Sequence, residues 1–228
     1  MPESICCALY ESLYSLAWRD DAVKVAILIA DAPPHGIGSM GDSMPHGCPD
    51  LNDPVAIVNK MAEKSITLYC AGCEPALVPY RQFFIALSLI TGGKYIPLDN
   101  ADQLTQIIVG GTREEISMEK LMAQVHDEVM KEAAASGKRV DEDVLTTRIH
   151  NLLNSQGSKI NAVSASSDIK IEEGVKEMSK TKTLSDLLKC ADANKVELGK
   201  SSYTASLICS RVAKPFGGSY LSSRYKKY

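Results

Sequence analysis

At 228 residues, with 45% hydrophobic content and a formal net charge of −3, the chain has the composition of an ordinary soluble protein and enough apolar residues for a full core. The charge is uneven: the first 112 residues carry 12 acidic and 6 basic side chains, whereas the last 28 carry five basic and no acidic ones, a basic tail on an acidic body. Seven Cys at no framework spacing, no signal peptide and no apolar run near the ~20 residues of a membrane helix point to a cytoplasmic protein with reduced thiols and no membrane span.

Aromatic content is 6%, with one Trp and three Phe, so the core must rest on Ile, Leu, Val and Ala. Pro2 to Trp18 sets Ile5, Leu9, Leu13 and Leu16 in one stripe, which predicts a helix; Pro2 suits its first turn and Glu3 its positive dipole end. After the polar break Arg19-Asp20-Asp21, the run Val23 to Ile29 is apolar without alternation, the pattern of a parallel strand buried on both faces. It ends in Ala30-Asp31, and Ala32-Pro33-Pro34-His35-Gly36 can continue neither strand nor helix. Ligands of open α/β sheets sit at the carboxyl ends of strands, which puts Asp31 where metal binding or chemistry is expected.

Gly36 to Asp53 is rich in Gly, Pro, Ser and Asp and has no period, so it reads as a long loop, functional or mobile. Asn52-Asp53-Pro54 is an N-cap with Pro at the first helical position, and Val55, Ile57, Val58, Met61 and Ala62 follow at helical spacing, with the helix ending near Lys64. Ser65 to Cys70 is a second strand, closed by the turn residues Ala71 to Pro75. Pro79 to Ile90 is apolar nearly all round, a helix wedged against a sheet and capped by Gly92-Gly93. Lys94 to Leu98 is a third strand, placed at an edge by Pro97, and Asp99 to Gly110 is a helix that Gly110-Gly111 ends. The alternation predicts an α/β fold: a partial doubly wound, Rossmann-like parallel sheet of three strands in right-handed βαβ units.

ILIADAPPHG, the loop containing GCPDLNDP, then SITLYCAGC and FFIALSLITGGKYIPL together resemble the second half of a von Willebrand factor A (vWA) domain. The likeness is greatest to the variant found beside atypical α-kinase catalytic domains and in related stand-alone proteins. PESICCALYESLYSLAWR resembles the helix before that fold's fourth strand, so the resemblance spans residues 2 to 112. In that family a divalent cation on top of the sheet is held by an Asp-x-Ser-x-Ser loop after the first strand, a Thr or Asp before the third helix, and an Asp after the fourth strand. Only the last carries over, onto Asp31; the first half with its Asp-x-Ser-x-Ser motif is missing. The resemblance therefore implies a non-enzymatic module that binds protein partners through a degenerate cation site. No cofactor is expected for this chain alone, with Mg²⁺ entering only if another chain completes the site.

It also implies that Val23 to Ile29, central in the intact fold, has an unpaired apolar edge. Another chain, self-association through residues 23–29, or the later run Ala205 to Cys209 would cover it; otherwise the chain is a truncated product.

These readings divide the chain into a partial vWA-like domain over 1–112, a helical hairpin over 113–154, and a largely disordered linker and tail over 155–228. The hairpin arms are Ile116 to Ala135 and Asp141 to Leu153. Ser155 to Lys182 is Ser-, Lys- and Glu-rich, and Thr183 to Ala193 has the spacing of a short helix. The tail mixes Arg211, Lys214, Arg224, Lys226 and Lys227 with tyrosines; so few charges read as a solvated tail, and no nucleic acid is expected as a partner.

Two alternatives stand beside the interaction module. One is a thiol or zinc protein using the CxxC of Cys70 and Cys73 with His35, His46 and Cys48, all on the loops at one end of the sheet, though their spacing fits no finger pattern. The other is an accessory or truncated piece of an α-kinase-type protein, without the Gly-rich nucleotide loop of a catalytic domain. No nucleophile elbow, P-loop or GxGxxG is present, so no catalytic residues are assigned.

Overall fold

The computed structural model describes residues 1–39, 41–99, 103–136, 147 and 169–199. Helix α1 (Ile5–Tyr14) leads into strand β1 (Lys24–Ala30), α2 (Pro54–Glu63) into β2 (Ile66–Cys73), and α3 (Arg81–Ile90), preceded by a 3₁₀ turn at Val78–Tyr80, into β3 (Tyr95–Leu98). The three strands are parallel in the order β1-β2-β3, with Ile27 opposite Tyr69 and Cys70 opposite Tyr95. This is a Rossmann-like α/β arrangement. Among the described residues β3 forms one edge, where Pro97 leaves no inner ladder bond unmade.

Strand alternation sorts the side chains into two cores. Ala30, Ile66, Leu68, Cys70 and Tyr95 meet Leu9 and Leu13 of α1, Val55, Val58 and Met61 of α2, and Phe83, Phe84 and Leu87 of α3 on one face. Tyr69, Ala71, Ile96 and Leu98 form the other face, against Ile107 of a long helix α4 (Gln103–Ser136).

β1 differs from the expectation of burial on both faces. Lys24 to Leu28 are half-buried and Ile29 is 46% exposed, leaving Ala30 as its one buried residue. The cause is its place: among the described residues β1 pairs with β2 alone, so its outer side has no neighbouring strand.

α4 also departs from the sequence reading. The Gly110-Gly111 stop does not hold, and one helix of 34 residues runs through both glycines and through the boundary set at residue 112. Packing overrides propensity here: buried Gly111 lies against the Tyr69 ring, and the following turn is pinned to the sheet. Glu115 accepts from Thr67 Oγ1 at 3.0 Å and from the Tyr69 hydroxyl at 2.9 Å, and Glu114 is paired with Lys94. Burial, and then the bond to Glu115, push the Tyr69 phenol up. Of the second hairpin arm, Asp141 to Leu153, only residue 147 is among the described residues.

The largest correction concerns the segment read as a linker. Helices α5 (Glu173–Met178) and α6 (Leu184–Asn194) fold onto α2 and α3, and Val175, Met178 and Leu187 are completely buried in the same core as the sheet. Residues 169–199 are therefore part of the fold. α6 is the short helix that the spacing over Thr183 to Ala193 predicts, whereas α5 lies within the stretch read as a linker, where Val175 and Met178 stand among Lys, Glu and Ser with too few apolar neighbours to show a period. Polar ties fix the register of this layer. Asp53 caps α2 through Oδ1, accepting from the Val55 and Ala56 N–H groups, while its Oδ2 accepts from the N–H of Leu184 at 2.8 Å. Asn59 donates to the Thr181 carbonyl and accepts from Lys182. The run Ala205 to Cys209 and the basic tail lie outside the described residues. Among the described residues no helix is long and apolar enough to cross a membrane.

Candidate functional site

The carboxyl ends of the strands carry the loops after β1, β2 and β3, and Asp31 stands exposed where β1 stops. The loop that follows is built, not slack. Ile37 and Cys48 are buried in it, and Gly36, at φ +84°, lies so close to Gly47 that a Cβ would come within 2.6 Å of the Gly47 Cα.

Asp42 organises this loop. Its carboxylate, 2% exposed, accepts from the Gly36 N–H and the Met44 N–H, each at 2.8 Å, and His35 Nδ1 lies 2.6 Å from Oδ1. Burial pushes the carboxyl up, but the three hydrogen bonds outweigh it and hold Asp42 below the usual carboxylate value. The sign follows directly: the stabilisation is complete above the unfolded pKa and is lost as pH falls through the lowered folded one. The wild type should lose stability from about pH 5 down to about pH 2 faster than Asp42→Asn, which has no proton to take up. Thermal unfolding over that range checks this; parallel curves would show that Asp42 has no such role.

After β2 the chain turns through a cis Glu74–Pro75 bond. Glu74 receives two bonds from Arg81, at 2.8 and 2.5 Å, and one from the Tyr95 hydroxyl at 3.0 Å. The bidentate pair fixes the start of α3 against the end of β2, and the Tyr95 bond ties in the start of β3. Tyr95 crosses over Gly72, where a Cβ would come within 2.0 Å of its hydroxyl oxygen. Burial, and after it the Glu74 charge, push the Tyr95 phenol up. Both acid groups are committed to structure.

The zinc set read from the sequence does not assemble. β2 continues to Cys73, so Cys70 and Cys73, three apart on a strand, project to opposite faces. Cys70 is buried in the α2–α3 core, where burial pushes its thiol up, while Cys73 lies on the α4 face. Burial, and then the charge of Asp31, push the Cys73 thiol up as well. His35 is held by Asp42 and His46 is exposed. Cys48 pairs instead with Cys7 of α1: their sulfurs are 3.4 Å apart, and with Asp50 they form the one group of three potential ligands among the described residues. Burial pushes up the thiols of Cys48 and of its neighbour Cys6, the latter to about 12.

Comparison with known proteins finds no matching family model, curated protein or solved structure. The site is thus read from its own geometry. Asp31 belongs to no group of three ligands among the described residues, and one exposed carboxylate does not fit Mg²⁺, which takes a nearly octahedral shell. Asp42, Cys7 and Asp50 were missed in the sequence. Asp42 carried a faint signal, an Asp between Gly41 and Ser43 in a loop needing an anchor. Cys7 carried none, since its partner lies 41 residues away.

Proposed function

We propose that this chain is a non-enzymatic protein-interaction module of vWA-like character, and that the outer edge of β1 is where a further strand joins. The single observation that supports the reading is β1 itself. It is a seven-residue parallel strand with one neighbour among the described residues, exposing Val23 just before it and Ile29 near its end at 39% and 46%. A parallel strand with one free side presents unpaired N–H and C=O groups and attracts another strand. In a second copy or a protein partner the missing neighbour would also bring further groups beside Asp31. Mg²⁺ belongs to this reading only in such a completed assembly. The alternative built on Cys70, Cys73, Cys48 and His35 loses its support, because the fold separates those side chains.

Sedimentation velocity of the full chain tests the edge. The wild type should associate with rising concentration, while Ile29→Lys should stay monomeric and keep its stability within about 0.5 kcal/mol, the usual range for a surface change. A wild-type monomer whose β1 amides exchange hydrogen as slowly as those of β2 would sink the reading, because the edge would then already be closed.

A further inference from the structure

We infer that Cys7, Cys48 and Asp50 form a binding site for a soft divalent cation of the Zn²⁺ class, separate from Asp31 and independent of the vWA reading. The two sulfurs and a carboxylate oxygen all lie within 4.8 Å of one another, and the sulfurs are 3.4 Å apart. Two sulfurs bound to one tetrahedral Zn²⁺ at about 2.3 Å each stand roughly 3.8 Å apart, so the pair need separate by only about 0.4 Å. Two thiolates with one carboxylate suit Zn²⁺ and not Mg²⁺ or Ca²⁺, which take oxygen ligands.

The site is held from both sides. Cys7 is the third residue of α1, in a first turn whose positive dipole end complements the negative charge of two thiolates and a carboxylate around a dication. Cys48 and Asp50 sit on a turn closed by the Leu51 N–H to the Cys48 carbonyl, and Asp53 then anchors the chain at the start of α2. Cys48 is buried, Cys7 half-buried and Asp50 exposed, which leaves one open side for cation entry and for a water as fourth ligand. Nothing about this arrangement involves the CxxC of β2. A bound cation would join α1 to the loop after β1, reinforcing the Asn52 Nδ2 contact to Cys7 Sγ at 3.9 Å, the bridge of Glu3 to Pro34 just before the helix, and packing.

Titration of the full chain with Co²⁺, metal-free and under reductant, tests the site. Expected are a thiolate-to-metal band in the near ultraviolet and tetrahedral visible bands at one equivalent, both displaced by Zn²⁺, with a rise in melting temperature on Zn²⁺ addition. Cys7→Ser and Cys48→Ser should abolish the bands and Asp50→Asn should weaken binding, while Cys73→Ser and His35→Ala should leave the spectrum intact. Because Asp50 is exposed, its variant stays informative should either Cys variant fail to fold. Absent bands, bands surviving Cys48→Ser, or bands lost in Cys73→Ser overturn the assignment, as does mass spectrometry showing a Cys7–Cys48 disulfide in place of metal uptake.

Discussion

Replacing Phe84 with Ala should remove about 3–5 kcal/mol of stability, the range for emptying a large aromatic site in a closed core. Phe84 is completely buried, and its ring meets that of Phe83 edge to face, with centroids 5.4 Å apart and planes at 89°. The site cannot collapse readily, because α3 is enclosed on two sides: the sheet lies on one, and α5, with Val175 and Met178, on the other. This double enclosure is the physical reason Phe83 to Ser88 are all buried in a single ten-residue helix. Since small domains are stable by about 5–15 kcal/mol, the loss would leave a marginal fold. Urea unfolding followed by circular dichroism checks it. A midpoint unchanged from wild type would mean that α3 is not packed on both sides.

Met178→Ala should cost about 2–5 kcal/mol, although it changes a residue in a stretch whose composition reads as a linker. A true linker position would tolerate the change within about 0.5 kcal/mol, so the two views are separated by a wide margin. Met178 is completely buried, as are Val175 and Leu187, and the segment is held in place by Asp53 Oδ2 on the Leu184 N–H and by Asn59 on the Thr181 carbonyl. The same denaturant series measures the effect. Limited proteolysis gives a second readout: cleavage within 173–194 should be slow in the wild type and faster in the variant. A variant with wild-type stability and protection would detach α5 and α6 from the core.

Much of the α/β half was legible in the residues, because its signals are local. The apolar run before Ala30-Asp31, the Asp53-Pro54 cap and the all-round apolar face of α3 each give the element and nearly its limits. Local signals failed where a distant contact outvoted them. Gly110-Gly111 should stop a helix, yet Tyr69 and the Glu114 and Glu115 bonds hold α4 straight through. Cys70-x-x-Cys73 looks like a chelating pair only while the strand is thought to stop at Cys70. One further turn of the pleat sends the two sulfurs to opposite faces.

By itself, then, the sequence determined that this is a parallel α/β chain with a carboxylate at the end of its first strand, because burial pattern and turn chemistry are written in consecutive residues. Only the tertiary structure decided which thiols meet, what Asp42 anchors, and that residues 169–199 belong to the core. The thiol pair and the 169–199 layer depend on groups brought together from 41 positions apart, as in Cys7 and Cys48, to 131, as in the Asp53 carboxylate and the Leu184 N–H, and no local pattern encodes such pairings. The partners of Asp42 lie within seven residues, but only the folded loop aims them at its carboxylate.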